Sequence, residues 1–306
     1  MRPAEKNLSL IVIVGLLLIA VILVLAPPSI PASSSQKLTV TTLDIGQGDS
    51  IFVRTPENIT ILIDGGKDNQ VTNRLSQVIP WWQRQIDYLV LTHSDLDHYG
   101  GLESVVRKYQ IGEFWFNGDL DNSAASYQSL IRTLRDRGVP LHLIRQGEEY
   151  HWDSGVSLHW LWPVRYQSGQ RNEASLVGRL SWGSEDVLLT GDLPSAQEQS
   201  ILQSGQTVEA EVLKVGHHGS KNSSAADFLA AVQPKLCLIS AGKDNSYGHP
   251  HADTLKRLHD VNCQIISTID TGSMTLELTT SSWRWYPTAD LPNNLFLGIL
   301  KKVNII

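Results

Sequence analysis

The chain has 306 residues and a formal net charge of −6 at pH 7, and 42% of its residues are hydrophobic. This length and composition exclude an intrinsically disordered chain and allow one large domain or two small ones. Because the net charge is negative, no overall positive field draws the chain to nucleic acid. Any contact with DNA or RNA therefore needs a local basic groove or bound metal ions.

The first predicted element is an apolar segment at residues 8–26, which Arg2 and Lys6 precede. Such a segment is long enough to span a membrane as a helix, and the positive-inside rule places residues 1–7 in the cytoplasm and the rest outside. We expect a single-pass anchor, because residues 27–32 offer no clean cleavage site. A cleaved signal that releases the protein is the alternative. Residues 27–37 form a linker.

Strand-like and helix-like segments alternate after the linker. Apolar and β-branched segments predict strands at 38–45, 50–54, 59–63, 88–91, 113–116, 156–162, 176–182, 187–189, 211–215, 236–239, 264–268 and 274–278. Segments of helical period lie at 69–79, 101–109, 124–137, 223–232 and 251–259. This order predicts an α/β fold over residues 38–286, an αββα two-sheet sandwich with helices outside, followed by a tail at 287–306.

Clusters of polar residues follow several predicted strands. They are the sequences DIGQGD at 44–49, DGG at 64–66, HSDLDH at 93–98, GD at 191–192, GHHG at 216–219 and GHPH at 248–251. Ligand-binding and catalytic residues of α/β sheets gather beyond the strand ends. We therefore expect these clusters to share one rim of the fold.

The sequence HSDLDH brings His93, Asp95, Asp97 and His98 within six residues. Neighbouring carboxylates repel each other, so a partly buried pair needs a cation to stay ionised. A single His or Asp at such a place is usually an ordinary hydrogen-bonded polar residue. Two His and two Asp this close together are much harder to explain in that way. The cluster therefore predicts a metal site.

With these motifs the chain resembles a known superfamily. The sequence THSDLDH resembles the HxHxDH motif of the metallo-β-lactamase superfamily, IDGG resembles its preceding aspartate motif, and LTGD resembles the later motif whose aspartate bridges two metals. More narrowly, LDIGQGDS, HSDLDHYGG, NEASLV, LLTGD, VLKVGHHGS and NSYGHP resemble the metallohydrolase domain of the ComEC family of DNA-uptake competence proteins. The resemblance implies a metallo-β-lactamase-like fold. Since the sequence has one apolar span, we expect this domain without the polytopic channel of that family.

The resemblance implies two divalent metal ions, Mn²⁺ or Zn²⁺. His93 and Asp95 would hold the first ion, Asp97 and His98 the second, and Asp192 would bridge both. Together these residues imply a hydrolase, because paired ions make a bound water acidic and polarise a phosphoryl or acyl oxygen. Asp97 would orient the hydroxide.

Other residues have supporting roles in this scheme. Asp64 would brace the HSDLDH loop rather than touch a metal. The third histidine of the first site would fall near Asn172, where there is none, so harder ions such as Mn²⁺ or Mg²⁺ compete with Zn²⁺. We expect His217 as the last ligand of the second ion and His218 as a loop-shaping residue, since neighbours on a strand point to opposite sides. His249 would be a further ligand or, like His217, a proton donor.

The supporting set also includes Asp49, Lys214 and Ser220. Lys214 and Ser220 flank the histidine pair, where they would contact a phosphate or simply form a solvated loop. The oxygen-rich site favours a phosphodiester such as DNA, with a separate DNA-uptake channel as a partner. Two alternatives stay open: hydrolysis of an envelope ester, amide or lactam, and a weakly active membrane-anchored binding module. Cys237 and Cys263 are expected to be buried thiols, with a disulfide as the alternative.

Overall fold

The structure, a computed structural model, describes residues 37–288. The predicted anchor at 8–26, nearly all of the linker and the tail from residue 289 onwards lie outside the described residues. Within residues 37–288, every helix falls short of the length and apolarity that a membrane span requires.

The described chain contains short strands that alternate with helices. The strands are β1 Leu38–Thr42, β2 Ile51–Arg54, β3 Thr60–Ile63, β4 Gln85–Leu91, β5 Gln110–Phe116, β6 Leu141–Leu143, β7 Glu149–His151, β8 Ser157–Trp162, β9 Val177–Trp182, β10 Glu185–Leu189, β11 Val212–Lys214, β12 Leu236–Ile239, β13 Gln264–Ser267, β14 Met274–Leu278 and β15 Trp283–Pro287. The helices are α1 Gln70–Val78, α2 Leu96–Tyr99, α3 Leu102–Lys108, α4 Ala125–Asp136, α5 Ser195–Gln203, α6 Ala226–Val232, α7 Ala252–Asp260 and α8 Thr268–Thr271, with 3-10 turns at Asn172–Ala174 and Gly216–Gly219.

The strands form two mixed sheets. The first has the order β15-β14-β1-β2-β3-β4-β5-β6, and the second has the order β13-β12-β11-β10-β9-β8-β7. Strands of one sheet that follow each other without an intervening helix pair antiparallel, as β1 with β2 and β9 with β10. In contrast, β3, β4 and β5 pair parallel because helices connect them. The parallel strands of each sheet thus end at the same edge.

The two sheets pack face to face, with helices on both outer sides. On β3, Ile61 and Ile63 belong to the apolar cluster between the sheets, whereas Leu62 belongs to the cluster under α1, α3 and α4. A third cluster lies between the second sheet and α5, α6 and α7. The predicted two-sheet α/β sandwich is confirmed. The sequence did not predict the strands β6, β7 and β15 or the helices α2, α5 and α8. β6 and β15 end one sheet and β7 ends the other.

Cys237 and Cys263 form a disulfide, with Cα atoms 6.0 Å apart. The expectation of two free thiols is therefore wrong. Cys237 lies on β12 and Cys263 immediately precedes β13, and these strands pair in parallel. The apolar character of both segments predicts burial, but it does not reveal that the two strands are neighbours.

Candidate metal centre

Loops from both sheets bring a group of His and Asp side chains together beyond the strand ends. Several overlapping groups have ligand atoms that all lie within 4.8 Å of one another: His93, His98 and Asp192; Asp97, His98 and His218; Asp49, Asp64 and His98; and Asp49, Asp192 and His218. These residues follow β1, β3, β4, β10 and β11 in the chain. The shared rim expected from the sequence therefore exists.

Asp192 lies at the middle of this group. Its Oδ2 is 3.3 Å from His98 Nε2, 3.4 Å from His218 Nε2, 3.6 Å from His217 Nε2 and 3.9 Å from His93 Nε2. These separations exceed ordinary hydrogen bonds. Two ligands on one tetrahedral ion, each about 2.1 Å from it, lie about 3.4 Å apart. The spacing therefore matches side chains arranged around metal ions.

Unpartnered atoms give an independent test of the fit to a metal. His93 Nε2, His98 Nε2, His218 Nε2 and Asp192 Oδ1 are buried and lack a hydrogen-bond partner among the described residues. Buried polar atoms are nearly always hydrogen-bonded, so four such atoms in one place need an explanation. Imidazole nitrogens and carboxylate oxygens are ligands for Zn²⁺ and Mn²⁺. The donor set thus fits divalent ions.

The HSDLDH loop ends in a single helical turn. Asp95 is extended and occupies the N-cap position of α2 without a side-chain capping hydrogen bond. In this turn Leu96 lies outside, with 54% of its surface exposed, and His98 is buried. The side chain of Asp97 is 28% exposed, and its Oδ2 is 3.5 Å from His218 Nε2. A turn at this point, rather than a fully extended loop, is what joins Asp97 and His98 to the same group.

Asp64 holds the base of this loop. One carboxylate oxygen accepts a hydrogen bond from the Thr92 backbone N–H at 2.8 Å, and the other accepts one from Thr92 Oγ1 at 2.7 Å. The second oxygen also lies 2.7 Å from His98 Nδ1. Since Asp64 meets Nδ1, the opposite nitrogen of His98 is the one that faces Asp192. Asp64 therefore orients His98 from behind.

His217 and His218 require a correction. They lie not on a strand but in a 3-10 turn, where both adopt the left-handed backbone region, with φ of 50° and 54°. Both rings consequently reach Asp192 Oδ2. His218 is fully buried and belongs to two of the metal-compatible groups, whereas His217 is 28% exposed and belongs to none. The expectation that only one of the two rings points inward, which assumed an extended strand, is therefore wrong.

Lys214 also differs from the expectation. Its Nζ pairs with Asp49 Oδ2 at 2.9 Å, with both side chains almost fully buried. Asp49 Oδ1 lies 3.3 Å from His218 Nδ1. A buried ammonium held this way cannot reach a substrate phosphate, so Lys214 and Asp49 support His218 instead. Ser220 is 6% exposed, and its Oγ accepts from the Asn222 backbone N–H at 3.4 Å.

Gly48 brings Asp49 close to the HSDLDH loop. A Cβ at Gly48 would collide with the backbone oxygen of Asp97, and its φ of +118° is one that residues with side chains rarely adopt. The Asp49 backbone N–H donates to that same oxygen at 3.3 Å. Gly48, the second glycine of DIGQGD, is therefore needed for the contact between two of the loops.

The first candidate subsite, His93 with Asp95, contains fewer histidines than the second, which has Asp97, His98 and His218. Asp95 Oδ2 is 3.7 Å from His93 Nε2, and Asp95 Oδ1 accepts a hydrogen bond from Arg171 Nη1 at 2.8 Å. Asn172, expected near a missing histidine, has its Nδ2 3.4 Å from His217 Nε2. The imidazole that Asn172 contacts thus comes from the GHHG turn.

Charge and burial act together in this centre. Burial raises the pKa of Asp192, but the neighbouring His218 and His98 outweigh it and hold the pKa well below its usual range. Burial lowers the pKa of His98 and of His218, yet Asp192 together with Asp64 beside His98 and Asp49 beside His218 raises both well above 6.5. These buried carboxylates need positive charge, which divalent ions can supply in place of the protons.

His249 lies at the outer side of the histidine pair, with its ring centroid 5.6 Å from that of His217. Burial, and then the charge on His217 and His218, lowers the pKa of His249 to about 4. A group that is neutral at pH 7 is a poor proton donor. The expected role of His249 as a general acid therefore lacks support.

The sequence reasoning missed a second bracing residue, Asp119. It is 2% exposed, and its Oδ2 accepts a short hydrogen bond from Ser94 Oγ. Asn122 Nδ2 donates to the Ser94 backbone oxygen at 2.7 Å. The available signal was the polar run NGDLDN directly after β5, another strand end at the same rim.

Comparisons with known proteins agree with this architecture. The family described as Metallo-beta-lactamase superfamily matches residues 43–243. The chain is 31% identical over 249 residues to ComE operon protein 3 of Bacillus subtilis (strain 168), covering 76% of this chain and 32% of that protein. It is 30% identical over 265 residues to Competence protein ComA of Neisseria gonorrhoeae, covering 85% of this chain and 35% of that one. The expected resemblance to competence proteins is confirmed.

The chain spans about a third of the length of these relatives. Among solved structures, CmlA, a diiron beta-hydroxylase from Streptomyces venezuelae, has a similar fold, with a TM-score of 0.54 and 14% identity. That match covers 80% of this chain and 55% of CmlA. With the two-sheet sandwich and the His/Asp centre described, the match over residues 43–243 shows that the chain belongs to the metallo-β-lactamase superfamily.

Proposed function

We propose that this chain is a metal-dependent hydrolase that cleaves a phosphodiester, with DNA as the favoured substrate. The observation that carries the proposal is the convergence of four imidazoles on one buried carboxylate, Asp192, at 3.3 to 3.9 Å. Members of this superfamily are metal-dependent hydrolases, and the donor set has the spacing and the unpartnered atoms that divalent ions require.

The ligand sets that we propose divide around Asp192. His93 and Asp95 would hold a first ion, and Asp97, His98 and His218 would hold a second, with Asp192 shared. When bound, two Mn²⁺ or Zn²⁺ ions supply an acidic water and polarise the phosphoryl oxygen. The second set is better built, since two of its members are fully buried and each has a buried carboxylate behind it.

Two protein side chains would act on the water and on the leaving group. Asp97, at 28% exposure, has one face towards solvent and would orient the attacking water. His217 is equally exposed, and burial lowers its pKa, which favours the neutral imidazole. A neutral imidazole would stabilise the leaving oxygen through an N–H hydrogen bond rather than by giving up a proton.

Three observations support a phosphodiester substrate and a site outside the cytoplasm. Curated relatives of the chain include a competence protein, and the carboxylate-rich first subsite suits harder, phosphate-binding ions better than an all-histidine site would. The buried disulfide between Cys237 and Cys263 is typical of an oxidising compartment. We accordingly propose a membrane-anchored domain that faces outward and works beside a separate DNA-uptake channel.

The proposal is tested with the full chain, purified in detergent and loaded with Mn²⁺ or with Zn²⁺. Wild type, Asp192→Asn and the surface control Asp253→Asn are assayed against bis(p-nitrophenyl) phosphate, single-stranded DNA and a chromogenic lactam. We expect phosphodiester cleavage that Asp192→Asn abolishes and Asp253→Asn retains. Cleavage of the lactam alone would transfer the proposal to the envelope ester, amide or lactam class. Stoichiometric metal without any turnover would favour a binding module.

A further inference from the structure

Arg171 lies at the open side of the first candidate subsite. Its Nη1 donates to Asp95 Oδ1 at 2.8 Å, while 58% of its side chain remains exposed. The other oxygen of Asp95 faces inward, 3.7 Å from His93 Nε2. One carboxylate thus connects the buried His/Asp group to an exposed guanidinium.

This guanidinium has donors left for a second anion. An arginine side chain carries five N–H donors in a planar fork. Within residues 37–288, the only hydrogen bond of the Arg171 side chain is the one to Asp95. An exposed ion pair of this kind adds little to stability. Arg171 can therefore turn towards an arriving anion at small cost.

The neighbours of Arg171 extend the same donor surface. Asn172 follows it directly, and Asn172 Nδ2 lies 3.4 Å from His217 Nε2. His217 in turn lies 3.6 Å from Asp192 Oδ2. Donor groups therefore line the open side of the centre, and the carboxylates that would hold metal lie behind them.

We propose that Arg171 binds the two non-bridging oxygens of the substrate phosphate, with Asn172 beside it. The inference rests on the proposed function, because it names the residue that recognises the phosphodiester. A guanidinium fork binds two oxygens of one phosphate, which an ammonium cannot do in the same geometry. Arg171 is thus a substrate-binding residue and not a metal ligand.

Removing Arg171 should weaken phosphate binding without removing metal. A hydrogen bond between charged groups corresponds to about a 10- to 100-fold change in binding. We expect Arg171→Ala to raise the KM for bis(p-nitrophenyl) phosphate, and the inhibition constant of inorganic phosphate, by a factor in this range. Arg171→Lys should recover part of the loss. Mn²⁺ content should stay at the wild-type level, since Asp95 loses a competitor and no ligand is removed.

Arg165 provides a matched control, because it is exposed in the same loop and forms no ion pair among the described residues. Calorimetric binding of inorganic phosphate to the Mn²⁺-loaded full chain provides a readout that needs no turnover. Equal phosphate affinities for Arg171→Ala and Arg165→Ala would overturn the inference, as would loss of Mn²⁺ from Arg171→Ala. Selective weakening in Arg171→Ala supports it even if wild type cuts neither phosphodiester, an outcome that would count only against the proposed function.

Discussion

The buried pair between Asp49 and Lys214 links stability to metal binding. The two side chains are 3% and 1% exposed, with Lys214 Nζ 2.9 Å from Asp49 Oδ2. The other oxygen of Asp49 lies 3.3 Å from His218 Nδ1. Burial raises the pKa of Asp49, but Lys214 and then His218 outweigh it and keep the carboxylate ionised. Asp49→Asn keeps the shape and removes the charge.

The size of the effect follows from what Asp49→Asn leaves behind. Lys214 would remain buried without its counter-charge, and breaking a buried pair on one side costs about 3–5 kcal/mol in free energy of unfolding. His218 would lose its carboxylate, which typically lowers metal affinity 10- to 100-fold. Because His218 Nδ1 also lies 3.0 Å from the Ser240 backbone oxygen, which remains, we expect the lower end, about tenfold.

A double variant separates the two effects. Asp49→Asn with Lys214→Met leaves no unpaired ammonium, so most of the lost stability should return, because apolar replacements of buried pairs are often neutral or stabilising. The loss of metal affinity should persist, since His218 still lacks its carboxylate. Urea unfolding in metal-free buffer measures the first effect and calorimetric titration with Mn²⁺ the second, with exposed Asp253→Asn as control. Two results would refute this account: a double variant that is no more stable than Asp49→Asn, or an affinity of Asp49→Asn for Mn²⁺ equal to that of wild type.

Further measurements address other parts of the molecule. His218→Ala should remove about one of two bound metal equivalents by elemental analysis, whereas His217→Ala should keep both and lower turnover; the reverse pattern would contradict the revised assignment. Burial raises the pKa of Glu198 from 4.5 to about 7. Between these two pH values the folded state keeps a proton that the unfolded chain has lost. The free energy of unfolding should therefore fall by on the order of 3 kcal/mol as the pH rises from 4.5 to about 7. Urea titrations should show that slope flattened in Glu198→Gln, and an unchanged slope would refute the assignment. Replacing Cys237 and Cys263 by Ala should lower the free energy of unfolding by about 3–4 kcal/mol for a closed loop of 26 residues, and free thiols in the denatured, unreduced wild type would contradict the disulfide.

Local sequence signals predicted the rim of the fold well. The apolar strands before Asp64, His93 and Asp192 are recognisable by themselves, and the polar residues that follow them lie where each strand ends. Parallel pairing of β3 with β4 and of β10 with β11 then brings those ends together. The sequence therefore predicts proximity wherever a site depends on neighbouring strands in one sheet.

Contacts between the sheets were beyond the same signals. The burial of Lys214 follows from the position of β11 in the middle of its sheet, between β10 and β12, where all three strand residues are buried. A lysine within the apolar run VLKV is itself a signal, because a central strand demands a buried partner. The sequence VLKV does not predict that this partner is Asp49, which precedes β2 in the other sheet.

The paired histidines show where reasoning from strand period fails. Two non-glycine residues in the left-handed region cost about 1–2 kcal/mol each, so the surrounding contacts must hold them there. The His217 backbone N–H donates to the Gly191 oxygen at 3.0 Å, and the His217 oxygen accepts from the Ser220 N–H at 2.8 Å. Strain of this kind concentrates at functional sites. Here two adjacent rings both approach Asp192 Oδ2, at 3.6 and 3.4 Å. The rule that neighbouring side chains point to opposite sides therefore excludes a second ligand only where the backbone is extended.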